Sequence, residues 1–266
     1  MRIALYQCQP LPLDIQANLA RLQVQASEAA KQGAALLVCP EMFLTGYNIG
    51  RDAARALAQP SDGPAAQQIA SIAQGSGVAI VYGYAELGSD GRVYNAVQLI
   101  DEHGVRICNY RKTHLYGDLD KSMFSAGEEH FPVVAFKGWN VGFLICYDVE
   151  FPENTRRLAL AGADLIVVPT ANMTPYDFVA EVTVRARAFE NQCYLVYANY
   201  CGHEGEIHYC GSSSVCAPDG HQIALAAQAE ALIVADLAQH RAKGSPISNT
   251  YLKDRRPGFY AGLTKT

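Results

Sequence analysis

Nowhere in its 266 residues does the sequence contain a run of about 18 apolar residues, the length a helix needs to span a bilayer. It has no excess of basic side chains either: 21 Lys and Arg face 26 Asp and Glu, for a formal charge of −5. A nucleic-acid binder carries a basic patch or stripe, so this balance argues against such a partner. The opening residues, MRIALYQCQP, read as the start of a strand and lack the cleavage pattern of a signal peptide. The expectation is a cytoplasmic protein with neither membrane nor nucleic-acid partners. A low-complexity linker is missing too, and with 50% apolar and only 18% charged residues the chain is not disordered. A chain of this length buries about three quarters of its unfolded surface and needs no disulfide or metal to hold it.

Eight cysteines are present, and without an export signal most are expected to be reduced. Cys8, Cys39, Cys108 and Cys193 lie in or beside apolar strand-like runs and read as core. Cys201, His203, His208 and Cys210 are the right types for tetrahedral zinc. Their spacing matches no common zinc module, however, and a turn-rich connection between strands accounts for them. No metal and no cofactor are expected.

The pattern alternates strands and helices. Residues 2–7 read as a strand, and residues 14–31 as a helix with Ile15, Leu19, Leu22, Ala26 and Ala29 along one face. A short apolar strand, 34–38, ends at Cys39-Pro40-Glu41, and a helix runs from Pro64 toward Gly77. Residues 78–85 and 93–100 look like paired strands, followed by a strand over 105–110. The second half echoes the first: GAALLVCPE (33–41) returns as GADLIVVPT (162–170), each after an alanine-rich amphipathic helix. A helix over 176–191 then precedes a strand over 193–200. This grammar predicts an α/β protein, a four-layer α-β-β-α sandwich built from two pseudo-equivalent halves; a single doubly wound sheet is the alternative. Residues 1–236 form one domain in this reading, and 237–266 a C-terminal tail packing on the domain or on a partner subunit.

Ligands of open α/β sheets gather beyond the carboxyl ends of strands. Three reactive side chains stand at such ends: Glu41 after LLVCP, Lys112 after VRICNYR and Cys146 after VGFLI. A thiolate is a nucleophile, a carboxylate shuttles protons, and an ammonium stabilises an oxyanion. Cys146 also precedes a helix-like segment whose entrance, together with Lys112, is expected to lower the thiol pKa. From the residues alone, a buried structural cysteine is the competing reading.

The motifs PEMFLTGY (40–47), YRKTHLYGDLD (110–120) and GFLICYDVEFPE (142–153) resemble the three signatures of the nitrilase superfamily of carbon–nitrogen hydrolases. The resemblance implies the same four-layer sandwich and a Glu-Lys-Cys triad at Glu41, Lys112 and Cys146. It implies acyl transfer through a thioester, with backbone N–H groups near Tyr147 helping to hold the oxyanion, and water as second substrate. Many members carry a glutamate eight residues after the lysine, where this chain has Asp120; a solvated loop carboxylate is the alternative reading of that residue. His114 is read as orienting the loop after Lys112.

The wording of PEMFLTGYNIG, ICYDVEFPENTRRLAL, VPTANMTPYDF and VYANYCG is most similar to the 5-aminopentanamidase branch, with amidases of cyclic-amine carboxamides close by. The substrate implied is a small amide with an amino group some distance from its carbonyl. Its ammonium needs an acidic or aromatic partner. Candidates are Glu150, Asp177 and Asp120, with Tyr47, Tyr116 and Tyr176 as walls and Tyr147, Asn172 and Met173 alongside. Glu150 has the alternative of pairing with Arg156 or Arg157. Nitrile or N-carbamoyl hydrolysis, and a catalytically silent binding or redox protein, are the rival functions. The family tendency implies a homodimer or a higher homo-oligomer.

Overall fold

The computed structural model describes residues 1–128, 131–238 and 249–264. Residues 239–248 and 265–266 of the expected tail fall outside that set. The first half runs β1 (Arg2–Gln7), α1 (Ile15–Lys31), β2 (Leu36–Val38), α2 (Arg51–Leu57), α3 (Pro64–Ser76), β3 (Ala79–Leu87), β4 (Val93–Ile100), β5 (Arg106–Arg111) and α4 (Gly117–Met123). The second runs β6 (Val133–Phe136), β7 (Trp139–Phe143), α5 (Pro152–Leu160), β8 (Leu165–Pro169), α6 (Val184–Asn191) and β9 (Tyr194–Ala198). It continues through β10 (Cys201–Glu204), β11 (Ile207–Cys210), β12 (Ser214–Cys216), β13 (Gln222–Leu225) and β14 (Ala231–Asp236), and α7 (Tyr251–Asp254) follows.

Local chemistry explains the boundaries that matter. Asp14 caps α1, its carboxylate accepting from the Ala17 amide at 2.9 Å. Pro64 opens α3, where its missing N–H costs nothing, and Gly77 closes it in the left-handed conformation. Alternation along the strands then sorts side chains into three apolar layers. Ile3 and Leu5 of β1, Leu36 and Val38 of β2, and Leu165 and Val167 of β8 share one core between two sheets. Ala4, Tyr6 and Leu37 face the other way, onto Leu22, Ala26 and Ile69 of the helices. Ile166 and Val168 likewise meet Leu158, Val184 and Ala188. The result is helix, sheet, sheet, helix.

The internal echo is a topological one. One sheet has the order β14-β1-β2-β3-β4-β5, the other β6-β7-β8-β9-β12-β13. In each, three parallel strands are flanked by antiparallel neighbours: β1, β2 and β3 match β7, β8 and β9. Residues 41 and 170, equivalent in the two echoed segments, meet where the halves adjoin, the Glu41 amide donating to the Thr170 carbonyl at 3.4 Å. The segment from residue 249 lies over α5 and α6: Asn249 donates to the Phe189 carbonyl, and Tyr251 packs edge-on against the Phe189 ring.

Candidate active site

Glu41 leaves β2 and is wholly buried. Its loop sits so close to β3 that a Cβ on Gly83 would lie 2.3 Å from the Met42 nitrogen and 2.8 Å from Glu41 Cα. Glycine is therefore required at 83. Oε1 of Glu41 takes two hydrogen bonds, from Lys112 Nζ at 2.7 Å and from Asn95 Nδ2 at 2.6 Å. Oε2 is buried without a hydrogen-bond partner among the described residues.

Lys112 follows β5, and its amide donates to the Asn95 carbonyl at 2.8 Å. Its ammonium, also wholly buried, lies 2.6 Å from Asp120 Oδ2, which accepts the Tyr116 amide at 2.9 Å as well. Asp120 is thus no solvated loop carboxylate: α4 carries it into the interior, and its shorter side chain reaches the lysine. Burial pushes the Glu41 carboxyl up, against the lowering pull of Lys112. Burial works against charge on Lys112 too, but Glu41 and Asp120 outweigh it and hold the ammonium well above the usual lysine range.

Cys146 stands just past β7 with φ +45°, a left-handed backbone that side-chain-bearing residues rarely adopt. The expected low thiol pKa is not found. Burial and the Glu41 carboxylate push it well up, more than Lys112, Thr170 and the Ala171 amide bring it down. The helix contribution fails for a geometric reason. A 3₁₀ turn over Cys146–Glu150 separates the sulfur from α5, and a helix dipole fades beyond its first turn. A thiol raised in this way is protonated at rest, and its use as a nucleophile would call for a base.

Asp148, buried in that turn, ties the lysine segment to the cysteine segment. Its carboxylate accepts from Tyr110 Oη (2.9 Å), the Ile145 amide (3.1 Å), Thr113 Oγ1 (2.9 Å) and the His114 amide (2.9 Å). His114 Nδ1 lies 3.0 Å from it, and the imidazole stacks on Phe151. His114 orients the loop, as its position suggests.

The sulfur opens on a cavity of about 260 Å³. Tyr47, Tyr116, Tyr147, Glu150, Asn172, Met173 and Tyr176 line it with Cys146 and Ala171, which brings together seven of the expected substrate-binding residues. Tyr116 meets Tyr147 and Tyr176 edge to face, at 5.5 and 5.9 Å. Burial and the hydrogen bond to Tyr176 push the Tyr116 phenol up to about 12, so it stays neutral. Glu150 is the carboxylate of the lining; burial raises it, and Lys112 and Arg187 draw it back. Arg187 also donates to the Glu150 carbonyl at 2.7 Å. Asp177 does not line the cavity; its charge acts instead on Cys210. Larger cavities between α1 and α3 (about 470 Å³) and under the C-terminal segment (about 510 Å³) have no cysteine in their walls.

The segment weighed for zinc forms the β10–β11 ribbon. His203 and His208 stack across it in solvent, whereas Cys201 and Cys210 are buried. No group of three metal-ligating side chains exists among the described residues. The ribbon instead supports the cavity wall. Buried Glu204 accepts the amides of Tyr47 (3.0 Å) and Asn48 (2.9 Å) and the Tyr209 hydroxyl, and the Cys210 amide donates to Asn172 O at 3.2 Å. Asn95, Asp148 and Glu204 escape sequence reasoning. Asn95 alone leaves a signal, a polar residue at the centre of the apolar run VYNAVQLI.

Residues 2–245 match the family model described as "Carbon-nitrogen hydrolase". The chain is 65% identical over 265 residues to a protein of Pseudomonas protegens named "Hydrolase in pqqF 5'region", covering 100% of this chain and 92% of that one. To an "(R)-stereoselective amidase" of a Pseudomonas species it is 36% identical over 257 residues, 96% of this chain and 92% of the relative. An amidase of Nesterenkonia sp. AN1 superposes with a TM-score of 0.85 at 35% identity, covering 99% of both chains; in that solved form, an E41Q mutant, acrylamide is joined to the active-site cysteine of that enzyme.

Proposed function

The chain belongs to the carbon–nitrogen hydrolase family and acts on carbon–nitrogen bonds, and from that premise we propose that it hydrolyses a small aliphatic carboxamide carrying a distant ammonium. The substrate this reading names is 5-aminopentanamide, giving 5-aminopentanoate and ammonia. One observation carries it: a cavity walled by tyrosines holds a thiol at one side and the Glu150 carboxylate in the same lining, beside the buried Glu41–Lys112–Asp120 cluster. Aromatic faces and a carboxylate both attract an alkylammonium.

Cys146 Sγ attacks the carbonyl carbon as its proton passes to Glu41 Oε2, the carboxylate oxygen without another partner. Lys112 Nζ and the Tyr147 amide receive the oxyanion. The C–N bond breaks as Glu41 returns the proton to nitrogen, and ammonia leaves a thioester. Water then gives a proton to Glu41 and attacks the thioester. The C–S bond breaks, and the sulfur recovers its proton from Glu41.

The test is an ammonia-release screen over ω-amino, simple aliphatic and cyclic-amine carboxamides, with Cys146→Ala as blank. Preference for 5-aminopentanamide over the monoamide of glutaric acid is expected, and the reverse preference overturns the cation pocket. The likeness to the (R)-stereoselective amidase supports cyclic-amine carboxamides as the second reading, which turnover of one enantiomer of such an amide would favour. Ammonia from nitriles or N-carbamoyl amines, with none from carboxamides, overturns both.

A further inference from the structure

Asn95 is an expensive residue where it stands. It lies in β4, paired with Ala85 of β3, and is 1% exposed. Its Oδ1 is buried without a partner among the described residues. A buried, unsatisfied carbonyl destabilises a fold, and an aliphatic side chain would avoid that cost. What the asparagine supplies in exchange is local. Nδ2 donates to Glu41 Oε1 at 2.6 Å, and its backbone carbonyl accepts the Lys112 amide at 2.8 Å. It is outside the cavity lining and touches the base and the lysine segment from behind.

We propose that Asn95 is a positioning residue that fixes which oxygen of Glu41 carries the proton during turnover. This rests on the reading of Glu41 as the base. Two donors occupy Oε1, and they differ in how they respond to the reaction. The attraction of Lys112 depends on the negative charge of the carboxylate, so it weakens when Glu41 takes the thiol proton and Lys112 turns toward the oxyanion. The amide of Asn95 is neutral and remains a donor in both states. The carbonyl oxygen of a carboxylic acid accepts a hydrogen bond better than its hydroxyl oxygen does, so an N–H fixed on Oε1 keeps that oxygen the carbonyl and places the proton on Oε2, the oxygen free to exchange it with sulfur, leaving nitrogen and water. The same hydrogen bond favours the ionised carboxylate and offsets part of the upward push of burial.

The experiment is the pH profile of kcat/KM for Asn95→Ala and Asn95→Asp beside the unmodified enzyme, with thermal melting as control. Activity needs Glu41 ionised, so its acid limb follows the Glu41 pKa. Loss of one hydrogen bond to a buried charge moves the limb of Asn95→Ala upward by about one pH unit. Asn95→Asp, which adds a like charge, moves it further. KM for the amide stays within about twofold, because Asn95 does not touch the cavity. A lowered melting temperature with the limb unmoved overturns the proposal and leaves Asn95 a packing residue. If the alanine variant does not fold, Asn95→Ser, which keeps a hydroxyl donor but shortens it, and Asn95→Leu carry the same comparison, with the larger shift expected for leucine. Failure of the underlying reading looks different: Glu41→Gln then retains activity, or the unmodified enzyme shows no acid limb above the ordinary carboxylate range.

Discussion

Replacing Asp120 by asparagine keeps the shape of the buried cluster and removes one of its charges. Lys112 is held by two carboxylates at 2.7 and 2.6 Å, with no exposure to water. Breaking a buried ion pair costs about 3–5 kcal/mol, and because Glu41 still neutralises Lys112 the lower end applies, about 3 kcal/mol. The kinetic effect is larger. With Asp120 neutral, Lys112 is drawn wholly to Glu41 and sits poorly for the oxyanion; loss of one such donor costs about 10²–10³ in kcat. The pH effect has a defined sign. The charge of Asp120 raises the Glu41 carboxyl, and its removal lets Lys112 lower it, so the acid limb of kcat/KM moves to lower pH. This is opposite to the shift expected for Asn95→Ala. Ammonia release across pH 4–9 reads both quantities. A kcat within about threefold of the unmodified enzyme, or an acid limb displaced upward, refutes the assignment of Asp120 as the anchor of Lys112.

Cys146→Ala abolishes ammonia release and leaves the melting curve in place, and residual turnover by purified variant protein would exclude the thioester route. Labelling of Cys146 by a neutral electrophile that is not an amide rises steadily into the alkaline range, since burial and Glu41 raise its thiol; a plateau already reached at pH 7 would contradict this. Glu150→Gln raises KM for 5-aminopentanamide about tenfold while leaving butyramide unaffected, and equal effects on the two would remove Glu150 from ammonium recognition. Gly83→Ala lowers stability by about 1–3 kcal/mol in denaturant titration and lowers kcat with it, because the added methyl meets the backbone of Glu41 and Met42. Unchanged values would mean that the close approach of β3 is slack.

Glu41, Lys112 and Cys146 were legible as candidates because each follows a strand, where an apolar run gives way abruptly to a reactive residue. The cavity wall was largely legible from the same loops. What stayed hidden depends on partners far along the chain. Asn95 looks like a strand interior until β4 brings it against Glu41. Glu204 looks like a turn acid until its ribbon folds over the Tyr47 loop. Asp177 was named only for its acidic type, and the chain brings Asn172, Met173 and Tyr176 to the cavity wall but not Asp177. The acidity of Cys146 misled for a different reason: desolvation is a property of the packed interior, and the residues flanking a cysteine do not encode it.

The hydrogen bond between Glu41 and Thr170 joins equivalent points of the two halves. Glu41 and Lys112 come from one half and Cys146 from the other, so in the proposed mechanism the reacting atoms straddle the junction. A slip of one sheet over its twin by a fraction of an ångström is therefore delivered undiluted to the distance between proton donor and acceptor. Trimming the valines that mesh the two sheets should blunt turnover before it blunts folding, which makes reaction rate the finer gauge of how the duplicated units are seated.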